Sequence, residues 1–292
     1  MSKITSNYFE HEGLRLHYLS AGQGPLVIFY HGFPLFSFSF HHQMNALADR
    51  YLVVAIDGPG INLSDKPSDL AAYRLPALVA QIDALAKTLV GEDPFYLVGH
   101  DWGGALAFAF AQDRPQRLCK MVSINAPPAN QLIGLLATNP EQQQRSQYMW
   151  KMRSGATHQW MTKDHGVNLW RQAYAKFRAL PHYTQSHDAT FKSGLGQPGA
   201  IDGGINWYRA NIPMLEDLSI ADAWPSAKAQ TQVPVLLIWG EADDTFVPTF
   251  IDALPDYAPN LKVHRLPGVG HTPMLEVPEV VNRLLAEFLS DA

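Results

Sequence analysis

The run Gly99-His100-Asp101-Trp102-Gly103-Gly104 constrains this 292-residue chain more tightly than any other stretch. It follows the apolar segment Phe95 to Val98 and precedes the helix-forming segment Ala105 to Ala111, so a strand must turn sharply into a helix here. Small residues on both sides of a central position let the backbone make a strained turn that lifts the central side chain above the sheet. That central residue is Asp101. A carboxylate so placed is a nucleophile for carbon centres: it forms an ester with its substrate and does not attack amides as a serine does. Peptidase and ordinary esterase chemistry at this turn are disfavoured accordingly. The plainer alternative is an aspartate capping the following helix, but a cap needs no close approach on both sides, which the flanking glycines provide.

The rest of the sequence supplies a frame for such a turn. Phe9 to Tyr18, broken at Glu12 and Gly13, reads as a hairpin. Leu26 to Tyr30, Leu52 to Ile56, Phe95 to Val98 and Lys120 to Ile124 read as strands buried on both faces, which usually run parallel. Between them, Leu78, Ile82, Leu85 and Leu89 form one apolar stripe on a helix over Leu75 to Val90. From Pro127 to about Trp224 strand signals vanish, glutamines cluster between Gln131 and Gln147, and five of the seven tryptophans occur, as in a helical insertion. The βα style resumes with Val233 to Trp239, a helix near Pro248 to Leu254, a strand at Lys262 to Leu266 and a helix from Pro278 to Leu289. The expected organisation is an α/β core of residues 1–127 and 229–292, with 128–228 inserted as a helical cap.

Composition excludes several functions. The net charge is 22 − 27 = −5 and only 17% of residues are charged, which disfavours a nucleic-acid partner. The longest apolar runs fall far below the ~18 residues of a membrane span. The segment Met1 to Glu10, with Lys3, Asn7 and Glu10, lacks the apolar stretch of a signal peptide, so a soluble cytoplasmic protein is expected. The one cysteine, Cys119, cannot form an internal disulfide and is read as a small buried apolar residue. His41-His42 has no further ligand at helical spacing, and neither a P-loop nor a G-x-G-x-x-G run is present, so no metal and no cofactor is expected.

A carboxylate nucleophile needs a base and a group to orient it. Asp243 follows the strand ending at Trp239 through Gly240-Glu241-Ala242, and His271 follows the strand ending at Leu266 through Pro267-Gly268-Val269-Gly270. Both fall at strand ends, where sites of α/β sheets form, in the chain order nucleophile, acid, histidine. Asp244 is the alternative orienter; successive side chains of an extended segment point opposite ways, so one of the two serves, with Asp243 favoured. His31-Gly32-Phe33-Pro34 directly follows the strand ending at Tyr30, which puts the Phe33 amide beside that of Trp102 as an oxyanion hole. His31 reads as structural. The Trp102 indole either binds a leaving halide or walls the pocket.

With these motifs together, the chain resembles the α/β-hydrolase superfamily and, within it, the epoxide hydrolases, from about Phe9 to Leu289. The resemblance rests on His31-Gly32-Phe33-Pro34, Gly99 to Gly104, Trp239-Gly240-Glu241-Ala242-Asp243 and Gly270-His271. It implies two cap tyrosines as proton donors: Tyr208 in Asn206-Trp207-Tyr208-Arg209, and Tyr148 in Ser146-Gln147-Tyr148-Met149-Trp150. A phenol suits the task, since opening the ring leaves an alkoxide and a group with pKa about 10 is still protonated at neutral pH. The expected activity is conversion of a small apolar epoxide and water to a vicinal diol, by a monomer or homodimer. Trp102, Phe33, Trp150 and Trp207 are the expected substrate contacts. The sequence departs from the family after Asp57, where Pro59-Gly60-Ile61-Asn62-Leu63-Ser64 replaces a run with arginine and tyrosine. Leu35, where an acidic residue is usual, together with Phe36, Phe38 and Phe40, predicts an apolar pocket entrance. The rivals are a haloalkane dehalogenase, disfavoured because Phe33 stands where its halide-binding asparagine would be, and a catalytically silent fold that binds a ligand or partner.

Overall fold

The computed structural model describes residues 3–290. Eight strands form one sheet: β1 (Thr5–His11), β2 (Leu14–Ala21), β3 (Leu26–Tyr30), β4 (Leu52–Ile56), β5 (Phe95–His100), β6 (Leu118–Ile124), β7 (Val235–Gly240) and β8 (Leu261–Leu266). Their order is β1-β2-β4-β3-β5-β6-β7-β8. The β1–β2 and β2–β4 pairs are antiparallel, and every other pair is parallel. The hairpin turns at Glu12 and Gly13, both with positive φ, which matches the right-handed twist of its strands. Every residue of β3 and β7 is buried, as continuous apolar runs require when helices cover both faces, whereas β8 is mostly exposed because it closes the sheet edge.

Helices α1 (His41–Leu47), α2 (Leu75–Val90) and α3 (Trp102–Asp113) connect the first parallel strands, and α11 (Pro273–Glu276) and α12 (Pro278–Ser290) end the chain. The apolar stripe of α2 faces the core through Leu78, Ile82 and Leu85. Helix α3 has no charged residue before Asp113 and is buried from Trp102 to Ala111, the pattern of a helix surrounded on all sides. It starts three residues earlier than the sequence suggests, because Trp102, Gly103 and Gly104 already belong to its first turn. The chain reverses direction across the sheet between β3 and β5, and that switch point leaves a crevice at the carboxyl ends of the strands.

Between β6 and β7 the described residues form helices and turns only: α4 (Ala129–Thr138), α5 (Pro140–Arg145), α6 (Tyr148–Lys151), α7 (Gly155–Thr162), α8 (Val167–Ala173), α9 (Gln185–Leu195) and α10 (Ala200–Asn211). Helix α10 docks on the loop after β4. Gly203 and Gly60 meet so closely that a Cβ on either would overlap the other's backbone. Two side chains pin the contact: Trp207 Nε1 donates to Pro59 O at 2.9 Å, and Asn211 Nδ2 donates to Tyr73 O at 2.8 Å.

Two expectations, on the pocket entrance and on Cys119, are corrected, and the loop that departs from the family is accounted for. Leu35 and Phe40 are buried in packing rather than lining an open entrance, with Phe40 5.0 Å from Phe29, while Phe36 meets Phe191 of α9 at 5.6 Å and borders, with Phe38, a cavity beside the hairpin and away from Asp101. The loop after Asp57 is anchored without arginine or tyrosine, because Asn62 Nδ2 donates to Asp57 Oδ2 at 2.7 Å and Ser64 Oγ donates to Asp57 O at 2.6 Å. Cys119 is only half-buried, near the start of β6.

The junction of α3 with the sheet is set by backbone contact. A Cβ on Gly99 would overlap the Gly103 carbonyl, and a Cβ on Gly103 would overlap the Tyr30 carbonyl at the end of β3. Overpacking usually costs about 1–3 kcal/mol, and here main-chain atoms of two elements would have to yield. Gly103→Ala should therefore lose about 3 kcal/mol or more of stability, read as a lower urea midpoint; an unchanged midpoint would contradict this contact.

Candidate active site

Asp101 stands at the turn between β5 and α3 with φ 54° and ψ −120°, a strained conformation for a residue with a side chain. Its side chain makes no capping bond to the helix, so it is free of the plainer role. A Cβ on Gly32 would overlap the Asp101 carboxylate, which places the turn after β3 directly against it. From there the Phe33 N–H donates to Asp101 Oδ1 at 3.1 Å. The other oxygen, Oδ2, faces His271 Nε2 at 3.6 Å and is the less restrained of the two. Burial would raise the Asp101 carboxyl, but the nearby charge of His271 and the Trp102 amide hold it below the ordinary carboxylate range.

His271 arrives from the loop after β8. Its Nδ1 donates to Asp243 Oδ2 at 2.7 Å, while Asp244 is exposed, so the choice between the two aspartates falls on Asp243. The other oxygen of Asp243 accepts from the amides of Thr245 at 2.6 Å and Phe246 at 3.3 Å. Burial would raise this carboxyl too, and His271, Asn125 and the Thr245 amide outweigh it. For His271 burial works against the charged form, yet the two flanking carboxylates prevail and hold it well above the usual histidine value. The two flanking charges thus favour the protonated form of His271.

Three positioning residues escaped the sequence reading. Asn125, at the end of β6 with φ 45°, donates from Nδ2 to Asp243 Oδ2 at 2.6 Å and accepts the Gly240 N–H at 2.9 Å on Oδ1. Glu276 accepts the N–H groups on either side of His271: Gly270 at 2.8 Å and Thr272 at 3.0 Å. His100, pushed down to about 4 by burial and by the neighbouring His271, is neutral and donates from Nε2 to the His271 carbonyl at 2.9 Å. Asn125 and His100 are single polar residues whose partners lie far away in sequence, while Glu276 binds amides of its own loop. The faint signal was position, because Asn125 ends a strand beside the one that carries Asp243.

The tyrosines come from above. Tyr208 on α10 is 2% exposed and shares a small void of about 10 Å³ with Asp101, Trp102, Leu132 and Phe246. Tyr148 at the start of α6 exposes 37% of its surface, while its ring lies edge to face with Tyr208 at 6.1 Å. Burial and the Asp101 charge push both phenols up, so both are protonated at neutral pH. Trp102 walls the site, its indole 5.0 Å from the Tyr208 ring. A cavity of about 490 Å³ adjoins the small void through Trp102, Ala105 and Leu132, and extends between Ile133, Ile212 and Trp224.

Trp150 and Trp207 line neither space, which corrects the expected substrate contacts. The Trp150 indole donates to Pro213 O at 2.9 Å, and Trp207 stacks on His31 at 5.5 Å with its indole on Pro59. Neighbours on a helix are turned about 100° apart, so the residue beside a site tyrosine faces elsewhere. Phe33 contributes its amide, and its ring packs on Tyr208 at 6.2 Å. His31 is buried, donating from Nδ1 to Gly32 O at 2.9 Å and accepting the Gly58 N–H on Nε2 at 3.2 Å, a structural pattern. Among the described residues no group of three or more His, Cys, Asp or Glu side chains is arranged to hold a metal, and no helix is long and apolar enough to cross a membrane.

Comparison with known proteins adds relatives to this geometry. Residues 25–278 match the family described as alpha/beta hydrolase fold. The chain is 30% identical to the AB hydrolase superfamily protein YfhM of Bacillus subtilis over the whole of both. It is also 30% identical to epoxide hydrolase 3 of Mus musculus, covering 96% of this chain and 75% of that one. An epoxide hydrolase of Bacillus megaterium, solved with an inhibitor, superimposes with a TM-score of 0.90 at 32% identity, over 98% of this chain and 100% of that one. A variant of that enzyme, with a TM-score of 0.87 and 32% identity over the same shares, was solved with its product, a naphthyloxy-propanediol.

The charges predict a pH signature. A histidine raised from an unfolded value of about 6.5 contributes stability that is fully present below that pH and is lost as pH rises through the folded value, about 10. The lowered aspartates contribute above their unfolded value of about 3.9, so the network is most stabilising from about pH 5 to 6.5. The Tm difference between wild type and His271→Gln should be largest there and shrink toward pH 10; a difference that grows with pH would contradict the assignment.

Proposed function

Because the chain belongs to the α/β-hydrolase fold family, among its epoxide hydrolases, we propose that it opens apolar epoxides to vicinal diols through an ester on Asp101. The observation that carries this reading is the protonated phenol of Tyr208, placed with the Asp101 carboxylate at one small void, with the protonated Tyr148 edge to face against its ring at 6.1 Å. Asp101 Oδ2, the freer oxygen, attacks a ring carbon from the backside. The carbon–oxygen bond of the ring breaks as Tyr208 and Tyr148 hydrogen-bond the departing oxygen and one of them protonates it. Esterification removes the Asp101 charge that helped to keep His271 protonated. The imidazolium then gives up its proton, which restores the phenol, and neutral His271 oriented by Asp243 becomes a base.

His271 next takes a proton from water, and the hydroxide attacks Cγ of the ester. The Phe33 and Trp102 amides, already gathered about the carboxylate, stabilise the negative Oδ1 of the tetrahedral intermediate. Collapse expels the diol with Oδ2, the imidazolium protonates it, and the remaining proton returns to His271. Residues 128–228 serve as the cap that supplies the phenols and excludes water. Trp102, Leu132 and Trp224 give the adjoining cavity apolar walls, and about 490 Å³ suits an epoxide bearing an aromatic or alkyl group. The aryl-substituted product of the Bacillus megaterium relative supports that size class. The enzyme works in the cytoplasm, as a monomer or homodimer, without a cofactor.

Single-turnover kinetics test the phenols. Tyr208→Phe should slow ester formation from an aryl epoxide about 100-fold, within the usual range for a general acid. Removing both phenols, by combining it with Tyr148→Phe, should slow it further, while Asp101→Asn abolishes turnover. Ester formation within threefold of wild type in the double variant would remove the tyrosines from the mechanism. Halide release from haloalkanes faster than epoxide opening would transfer the activity to dehalogenation.

A further inference from the structure

The hairpin carries a second set of side chains in hydrogen-bonded series, away from Asp101. Ser6 on β1 and His17 on β2 lie on the same face of the antiparallel pair, where Tyr8 is the direct partner of His17. Ser6 Oγ is 2.8 Å from His17 Nε2, and His17 Nδ1 is 2.6 Å from Asp57 Oδ2. Asp57 also accepts from Asn62 Nδ2 on Oδ2 and from the Ser37 N–H at 2.8 Å on Oδ1. A carboxylate that accepts everywhere else accepts from Nδ1 as well, and in the neutral imidazole the lone pair then sits on Nε2, facing the Ser6 hydroxyl. That is the tautomer a general base needs. Asp57 is wholly buried, His17 is 2% exposed, and Ser6 is open to solvent.

A cavity of about 470 Å³ lies beside the pair, with Leu19, Phe36, Phe38 and Leu63 among its walls. Ser37 lines it too: the side chain is 1% exposed, and its Oγ has no hydrogen-bond partner among the described residues. Asn62 lines it as well and has a second amide hydrogen beyond the one given to Asp57. A buried hydroxyl without a partner costs free energy unless something fills the role. The loop after Asp57 is already held by Asn62 and Ser64, so the bond from His17 to Ser6 is not needed for that anchoring.

We propose that Ser6, His17 and Asp57 form a second hydrolytic site, which cleaves small carboxylic esters with an apolar acyl group through an acyl-serine. Ser6 Oγ attacks the ester carbonyl as its proton passes to His17 Nε2. Asn62 Nδ2, with its second amide hydrogen, donates to the oxyanion, and the tetrahedral adduct expels the alcohol, which takes the proton from His17. Water, deprotonated by His17, then attacks the acyl-Ser6 carbonyl; the carboxylic acid leaves and Ser6 regains its proton. No part of this route uses Asp101 or His271.

The test is made in the full chain carrying Asp101→Asn, so that the elbow nucleophile contributes nothing. An alkyl fluorophosphonate should add one phosphonyl group, with loss of fluoride, on the peptide that contains Ser6. Release of p-nitrophenol from p-nitrophenyl butyrate should fall at least tenfold with Ser6→Ala, a change at an exposed position. Replacing the hydroxyl by a thiol in Ser6→Cys should move covalent labelling to iodoacetamide, with a rate that depends on His17. A phosphonyl group on any other residue, no labelling, or an ester hydrolysis rate that Ser6→Ala leaves unaltered would overturn the second site.

Discussion

The close seating of α3 against β3 and β5 sets the geometry on which the rest of the site depends. Gly99 and Gly103 allow main chain to touch main chain, and the chain between them has no room to turn except through a positive φ at Asp101. Strain of about 1–3 kcal/mol at such a residue persists only where surrounding packing over-determines it. Here that packing is a helix buried from Trp102 to Ala111 and a sheet covered on both faces. The turn delivers a carboxylate above the strand ends, directly against Gly32 and the Phe33 amide. The oxyanion hole and the nucleophile are therefore two consequences of one close contact.

Electrostatics then decides which protonation states meet. Asp101 and Asp243 are buried deeply enough that each alone would favour its neutral form, and each stays charged because His271 lies between them. His271 is in turn held protonated by both. Conversion of Asp101 to an ester removes one of the two charges, so the same residue changes from counter-ion to base without moving. Above this network the two phenols experience the opposite effect: burial beside a negative charge keeps their protons on. One charged group thus prepares both the acids and the later base.

Much of this was legible in the sequence because it was local. Buried parallel strands appear as uninterrupted apolar runs, and β3 and β4 coincide with the segments read from the sequence. Asp101 and Asp243 each follow such a run, and His271 follows the more exposed edge strand β8, in every case by a glycine-containing turn, and that placement identified them. Asn125 and His100 were not legible, since their importance lies in contacts to other loops rather than in any spacing, and Glu276 was not because nothing in sequence marks a carboxylate that folds back on the amides of its own loop. Trp150 and Trp207 were misplaced by adjacency, a measure that fails on a helix, where neighbouring side chains diverge. Phe40 was misplaced for a related reason: a loop rich in phenylalanine can line an entrance or fill a seam, and Phe40 fills one against Phe29 of β3.

The central claim is that the oxygen first given to the substrate comes from Asp101 and not from water. A single turnover in oxygen-18 water, with enzyme in excess over an aryl epoxide, measures this directly. The account predicts that the first diol is unlabelled and that the heavy oxygen is found in the peptide containing Asp101. Heavy oxygen in the first diol, with none in that peptide, would show that water opens the ring itself and would contradict the covalent mechanism.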